Sequence, residues 1–283
     1  MSIRYLPAQV VWNERHGAQL GLMRLAVAGL GAVLPGQFVQ LHCGDDLTLP
    51  RPFSVWASNR QEGTIDLFYR VVGVGTERMA CWQAGEQRTL LGPLGRAFTL
   101  PETGGRIILV AGGVGLAPLD FLAREAVARG VEVVLFWGSE SDSPFALQWD
   151  GEGDGLSAGM ALTALQQLGV RSRLAALQER AGYFRGYVTD LAVAYLQQLS
   201  EGERARSRLY TCGPMPMMAV LAQWAARHGV VGEASLEAHM ACGFGVCVGC
   251  VVGIRHGEKR FYRRVCVEGP VFPLQDVDWQ QAE

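Results

Sequence analysis

The stretch RIILVAGGVGLAPLDFLAREAVARG, residues 106–130, decides the fold of the central part of this chain. Residues 106–111 form a strongly apolar run of strand length, and residues 112–115 form a glycine-rich turn. Residues 116–129 then follow helical spacing and stop at Gly130. A strand, a tight turn and a helix in this order predict a parallel sheet that carries helices on both faces.

The same alternation continues to about residue 233. Strand-like runs occupy residues 131–137, 171–178 and 208–211, and helical patterns occupy residues 156–168, 189–199 and 214–228. The segment 139–159 is rich in Gly, Ser and Asp and is predicted to be a long surface loop. We assign residues 101–233 to one α/β domain.

The two flanking blocks have different character. Residues 1–100 contain short runs rich in Val, Phe, Tyr and Leu, such as 37–42 and 64–72, and turn residues separate them. This spacing predicts a small antiparallel β-barrel. Residues 234–283 are dense in Cys and Gly and form a third, small domain. The expected fold class is therefore a multidomain chain that combines α+β and α/β architecture.

Composition narrows the function classes. The chain has 283 residues, 49% of them hydrophobic and 18% charged, and a net charge of −2, which together favour a packed core and disfavour a nucleic-acid partner. The longest apolar stretch, residues 107–119, is too short to span a membrane, and the start of the chain has no secretory pattern. Seven cysteines, four of them in the last 42 residues, indicate cytosolic thiols and a metal site. We therefore expect a cytoplasmic protein.

The cysteines near the C-terminus have a specific spacing. The run Cys-x4-Cys-x2-Cys, with a fourth cysteine after fifteen intervening residues, is typical of a plant-type [2Fe-2S] site. Glycines between these cysteines allow the tight loop that four converging thiolates need. A structural zinc and ordinary buried cysteines are the alternatives, but zinc sites usually pair two short knuckles. The predicted cluster ligands are Cys242, Cys247, Cys250 and Cys266.

Two segments of the barrel block suggest a flavin. In RPFS, residues 51–54, an arginine could pair with a pyrophosphate, an aromatic ring could cover the flavin, and a hydroxyl could hydrogen-bond its N5 edge. The segment FYRVVGVGT, residues 68–76, adds a second cation and a glycine turn suited to phosphate. The alternative is a surface arginine and a core phenylalanine. The candidate residues are Arg51, Pro52, Phe53, Ser54, Phe68, Tyr69, Arg70, Gly75 and Thr76.

Two turns of the central domain suggest a nicotinamide site. Both follow a strand and open a helix, and such turns meet at the carboxyl edge of a parallel sheet. Neither contains the usual G-x-G-x-x-G fingerprint, so a plain strand–helix turn is the alternative. The acidic stretch at 138–142 favours NAD over NADP, although Arg180 and Arg185 could come close. The candidate residues are Gly112, Gly113, Gly115, Pro118, Cys212, Gly213 and Pro214.

Taken in order, these segments resemble the ferredoxin-reductase superfamily, and within it the electron-transfer subunits of type B dihydroorotate dehydrogenase. The most specific part is the cysteine block, which follows Ser235-Leu236-Glu237 and precedes the run CVEGPVF at 266–272. The segments that carry the resemblance are residues 51–54, 69–76, 92–95, 112–118, 182–190, 212–215, 235–237, 240–250 and 266–272.

The resemblance implies that the subunit binds FAD and one [2Fe-2S] cluster and uses NAD as a substrate. It also implies a partner, an FMN-containing catalytic subunit that oxidises dihydroorotate to orotate in pyrimidine biosynthesis, in a heterotetramer of two subunits of each kind. Electrons would then pass from that subunit through the cluster and FAD to NAD⁺, with no acid–base catalytic residue. The alternatives are the reductase subunit of another complex, such as a ferredoxin:NAD(P) oxidoreductase or a sulfhydrogenase, and a zinc-stabilised redox sensor without turnover.

Overall fold

A computed structural model of the chain describes residues 3–101, 104–151, 158–257 and 259–280. The central part of the segment predicted as a surface loop, residues 152–157, lies outside these ranges, as does the start of the helix predicted at 156. The described residues contain a closed barrel, a seven-stranded sheet and two small two-stranded sheets.

The first six strands form the barrel predicted from the sequence, and each neighbouring pair is antiparallel. Side chains alternate along a strand, so Val39 and Leu41 enter the barrel core while Phe38 and Gln40 lie on its outer wall. The barrel closes in the order β1-β2-β5-β4-β3-β6. Its strands are β1 (Arg4–His16), β2 (Leu20–Ala26), β3 (Phe38–Leu41), β4 (Arg51–Asn59), β5 (Thr64–Arg70) and β6 (Gln87–Leu94).

The described residues also contain eleven further strands, seven α-helices and one short 3-10 turn, Gly113–Gly115. The strands are β7 (Arg106–Gly112), β8 (Glu132–Gly138), β9 (Leu147–Trp149), β10 (Met160–Leu162), β11 (Arg171–Ala176), β12 (Phe184–Arg185), β13 (Ser207–Cys212), β14 (Val231–Ser235), β15 (Val251–His256), β16 (Lys259–Arg264) and β17 (Val271–Pro273). The helices are α1 (Val74–Met79), α2 (Leu116–Ala128), α3 (Thr163–Gln166), α4 (Val188–Gln198), α5 (Glu201–Ala205), α6 (Met215–Arg227) and α7 (Val265–Glu268).

The seven-stranded sheet has the order β12-β11-β8-β7-β13-β14-β17, and only β17 is antiparallel to its neighbour. Alternate residues of β7 enter two cores on opposite faces. Ile107 and Leu109 pack with α2, whereas Ile108 and Val110 pack with α4 and α6. The parallel sheet with helices on both faces, predicted from residues 106–130, is confirmed.

Two local predictions were wrong. The described part of the helix predicted over 156–168 contains β10 and the single turn α3 instead. Residues 160–162 pair with β9, and that pairing supplies hydrogen bonds that a helical pattern of apolar residues does not reveal. The segment predicted as a surface loop also contains β9, and Phe145 from the same segment is partly buried against the core.

A buried polar contact joins the barrel to the α/β unit. The indole N–H of Trp56 on β4 donates to Asp120 on α2, and Arg124 forms an ion pair with the same carboxylate at 3.0 Å. Burial raises the pKa of Asp120, although both partners oppose the rise. Phe145 packs beside this contact, with its ring centroid 5.3 Å from Trp56 and 5.2 Å from Phe68. These contacts fix the barrel against α2.

The C-terminal block packs against both larger units. Its hairpin, β15 with β16, is followed by α7 and then by β17, which extends the seven-stranded sheet at β14. Cys250 and Cys266 share one core with Phe38 and Leu94 on the outer wall of the barrel. The domain boundaries at residues 100 and 233 stay predictions. No helix within the described ranges is both long enough and apolar enough to cross a bilayer.

Candidate cofactor sites

The four cysteines predicted as cluster ligands come together in two pairs. Cys242 and Cys247 belong to the loop between β14 and β15, and their side chains lie close enough for Cys247 to lower the pKa of the Cys242 thiol. Cys250 ends that loop, and its thiol contacts the thiol of Cys266 on α7. The two pairs also interact, because Cys242 lies close enough to act on the charge of Cys266. The contacts therefore connect Cys266 with ligands that lie sixteen or more positions before it.

This pairing fits a two-iron cluster better than a single metal ion. In a [2Fe-2S] centre with four cysteines, each iron takes two protein sulfurs and shares two sulfides with the other iron. A structural zinc instead needs four ligands converging on one point. The donor set therefore favours the cluster over the zinc alternative.

Backbone N–H groups of the loop point at the sulfurs. Burial alone would raise the pKa of Cys242, but hydrogen bonds from the backbone of Cys247, Phe244 and Val246 lower it overall. Burial, followed by the nearby Cys250, raises the pKa of Cys266, which the backbone of Gly245 opposes. Such N–H groups stabilise sulfur-centred negative charge and set the potential of a bound cluster.

The two barrel segments predicted to bind a flavin meet at the start of β4. Arg51 lies against Gly75, where an added Cβ would stand 3.2 Å from the guanidinium Nε. The Thr76 hydroxyl holds the adjoining turn, since it accepts from the backbone N–H of Val72 at 2.9 Å and of Gly73 at 3.2 Å. The arrangement places a half-buried cation beside a tight turn, which is chemistry suited to a pyrophosphate.

Other candidate flavin residues divide between the two faces of the barrel wall. Pro52 and Ser54 lie opposite Gln40 and Phe38 on β3. Tyr69 points into the barrel, where its hydroxyl donates to Asn13 Oδ1 at 3.0 Å, so only its backbone can contact a ligand outside. The Phe53 ring meets it edge-on at 6.2 Å.

Phe68 and Arg70 point away from the barrel interior, as strand alternation requires. Phe68 packs against Phe145, and exposed Arg70 donates to Gln19 at 3.2 Å. All three consecutive residues 68–70 were predicted to bind the flavin, but successive side chains of a strand face opposite ways. Phe68 and Arg70 would therefore contact a flavin outside the barrel through their side chains, whereas Tyr69 would do so through its backbone.

The two turns predicted to bind nicotinamide pack directly on each other. A Cβ at Gly115 would overlap the Cys212 carbonyl, and a Cβ at Gly112 would stand 2.6 Å from Pro214 Cδ. A Cβ at Gly213, whose φ is 149°, would stand 2.9 Å from the backbone of Gly112. These glycines let the carboxyl ends of β7 and β13 approach, whereas Gly113, with φ of 54°, faces open space.

Pro118 is buried in the first turn of α2, where the fixed φ of proline suits the start of a helix. Cys212 is also buried, and burial raises the pKa of its thiol. A residue that the sequence argument gave no role, Glu237, stands beside it after β14. Desolvation by the surrounding protein raises the pKa of this carboxyl, although the side chain still reaches solvent. An acid directly after a buried strand was the signal that could have identified it.

We expect Gly115→Ala to raise the KM for NADH by at least about tenfold without changing the bound flavin. Overpacking costs about 1–3 kcal/mol, and about 1.4 kcal/mol corresponds to tenfold in affinity. The measurement is NADH-dependent dye reduction, with flavin content read from absorbance. Gly202→Ala on α5 is the control, because a Cβ there meets nothing and its KM should stay unchanged. An unaltered KM in the Gly115 variant would contradict a nicotinamide site at these turns.

Comparisons with known proteins agree with the site geometry. Residues 237–278 match the iron–sulfur cluster binding domain of dihydroorotate dehydrogenase B, and residues 109–223 match the oxidoreductase NAD-binding domain. The chain is 34% identical to the dihydroorotate dehydrogenase B (NAD(+)) electron transfer subunit of Desulforamulus reducens, over 87% of each protein. It is 30% identical to the subunit of the same name from Caldanaerobacter subterraneus subsp. tengcongensis, over 96% of this chain and 98% of that protein. Among solved structures, an NADH-dependent reduced ferredoxin-NADP oxidoreductase superposes with a TM-score of 0.80 at 22% identity, over 97% of this chain and 91% of that one.

Proposed function

This chain belongs to the family of dihydroorotate dehydrogenase B electron transfer subunits, and from that premise we propose that it passes electrons between a dihydroorotate-oxidising catalytic subunit and NAD in pyrimidine biosynthesis. It is an oxidoreductase subunit that works with FAD, a [2Fe-2S] cluster and NAD. The observation that carries the proposal is the grouping of the four cysteines, of which Cys250 and Cys266 pack in one core with the outer wall of the barrel.

Separate residues of the chain would bind FAD and the nicotinamide nucleotide. Arg51 and the turn at Gly75 and Thr76 would hold the pyrophosphate of FAD, and Ser54 would hydrogen-bond the edge of its ring. The turns at Gly113 and Gly213 would bind the nicotinamide nucleotide. When bound, FAD exchanges hydride with the nicotinamide and single electrons with the cluster, so together they connect two-electron and one-electron chemistry.

Electron transfer to a partner needs the cluster loop at the protein surface, and the structure of that loop meets this need. Cys247 is exposed, and apolar side chains around it are exposed too. We define the cluster-loop patch as Phe244, Val246, Val248 and Val251. Adjacent exposed apolar residues of this kind mark protein–protein contact sites. The proposed occupant is the FMN-containing catalytic subunit, in an assembly of two subunits of each kind.

Val246→Gln should weaken assembly with the catalytic subunit by about tenfold, which is about 1.4 kcal/mol. Val246 is 73% exposed in the unbound chain, so its replacement removes apolar contact area without disturbing a core. Calorimetry of the two purified subunits measures the affinity, and absorbance of the variant checks its cluster. Val220→Gln on α6 is the matched control, since Val220 is also exposed but lies outside the patch. Equal affinities for both variants would exclude this docking surface.

The function itself is tested by co-expression with an FMN-containing dihydroorotate dehydrogenase subunit. We expect a complex of two subunits of each kind by light scattering, and reduction of NAD⁺ that depends on dihydroorotate. A complex that reduces ferredoxin with NADH but leaves NAD⁺ unreduced with dihydroorotate would overturn the proposal in favour of another reductase subunit.

A further inference from the structure

Gln40 is a fully buried amide whose hydrogen-bonding groups have no described partner. It lies on β3 with 0% of its surface exposed, in the otherwise apolar strand Phe38–Leu41. Neither its Nε2 nor its Oε1 forms a hydrogen bond with any residue that the structure describes. An unpaired buried polar group destabilises a fold, so its presence in a barrel wall needs an explanation.

The position of Gln40 points to the cluster site. Strand alternation directs its side chain out of the barrel, away from Val39 and Leu41 in the barrel core. There the carboxamide meets Gly243, the residue after Cys242, so closely that a Cβ on Gly243 would overlap it. Gly243 also has a φ of 77°, which favours glycine. The loop that carries Cys242 and Cys247 therefore leaves space for this amide by having glycine at position 243.

Gln40 also borders the strand that is proposed to hold the flavin. Its register partner on β4 is Pro52, and its partner on β6 is Leu91. The amide thus occupies the layer between the barrel wall and the loop of Cys242 and Cys247. Both register partners are apolar, and the acceptors that the loop would hold are sulfur atoms.

We propose that the Gln40 carboxamide donates a hydrogen bond from Nε2 to a sulfur of the bound [2Fe-2S] cluster and raises its reduction potential. The inference rests on the proposed function only in assuming that a cluster is bound. A donor to sulfur stabilises the reduced form, which carries one more negative charge than the oxidised form. Gln40 therefore raises the reduction potential of the cluster from the side of the flavin-binding barrel, in addition to the effect of the backbone N–H groups of the loop.

The test is an EPR-monitored redox titration of the holoprotein with Gln40→Met, a variant of similar length without a donor. We expect the ratio of reduced to oxidised cluster at a fixed potential to fall by about tenfold, which is 59 mV for a one-electron couple. The flavin potential, followed by visible absorbance in the same sample, should stay unchanged. Gln40→Leu, which also lacks a donor, should shift the cluster in the same direction.

Gln37→Met is the matched control. Gln37 is buried directly before the same strand, but its amide already bonds Leu34 N at 2.9 Å and Gly95 O at 2.9 Å. Its replacement should lower the melting temperature and leave the cluster potential unchanged. In cluster-free protein, Gln40→Met should keep or raise the melting temperature, because it removes an unpaired amide.

Two results would overturn the proposal. One is an unchanged cluster potential in both Gln40 variants, and the other is a shift of the flavin potential in place of the cluster potential. Both measurements are made on the isolated subunit, so they remain decisive even if it fails to reduce NAD⁺ with dihydroorotate. Absence of iron from the native protein would instead refute the cluster itself and with it the proposed function.

Discussion

Replacing Cys247 by serine should abolish electron transfer to the catalytic subunit while NADH-dependent dye reduction continues. We expect dihydroorotate-dependent NAD⁺ reduction to fall by at least about 100-fold, since even residues outside the ligand sphere cost about 10- to 100-fold. Dye reduction should stay within about twofold of the native rate, because the flavin and nicotinamide residues lie on other elements and keep their positions. The two assays, run on the same reconstituted complex, measure the two effects.

Cys81→Ser is the control for this experiment. Cys81 is exposed, as Cys247 is, but it follows α1 and lies outside the cysteine motif. Its replacement should leave iron content and both activities unchanged. A Cys247 variant that loses both activities equally would show that the cluster is needed for the fold or for flavin reduction, contrary to the proposed separation of the sites.

Replacing Arg51 by alanine should weaken FAD binding by about 10- to 100-fold. A hydrogen bond to a charged group contributes about 1.5–3 kcal/mol, and about 1.4 kcal/mol is tenfold in affinity. Removal of Arg51 takes the cation away from the turn at Gly75, where the pyrophosphate is expected. Fluorescence of released FAD, titrated back into flavin-free protein, measures the dissociation constant.

Arg60→Ala provides the comparison, because Arg60 is exposed just beyond the opposite end of β4. Its FAD affinity should equal that of the native chain, and the native protein should bind less FAD at high salt as the Arg51 contact is screened. An Arg51 variant with native affinity would mean that the pyrophosphate lies elsewhere.

Periodicity was the part of the sequence that predicted structure well. The pattern of residues 106–130 gives β7 and α2, because a buried strand and a half-buried helix leave different spacings of apolar residues. The prediction was wrong at 156–168, where pairing of β10 with β9 decides the conformation. Pairing between segments is a tertiary effect, and local spacing carries no signal for it.

The cysteine site likewise depends partly on residues that are close in sequence and partly on contacts between distant segments. Cys242, Cys247 and Cys250 are close in sequence, so their spacing alone indicates one loop. The contact of Cys250 with Cys266 depends on the path of the β15–β16 hairpin, and the contact of Gln40 with Gly243 joins residues from opposite ends of the chain. The assignments of individual residues to FAD and NAD stay predictions until the binding experiments are done.

The pairing of β17 with β14 has a consequence for how this protein can be divided. Residues after the cysteine loop complete the edge of the nucleotide-binding sheet. The iron–sulfur segment therefore cannot be removed without exposing that edge. A chain cut after residue 236 would leave the backbone of β14 open to pairing with other molecules, and such edges promote aggregation. Fusion proteins that contain this electron carrier should therefore keep the barrel, the α/β unit and the C-terminal block together. The fused protein should be attached at the start of the chain.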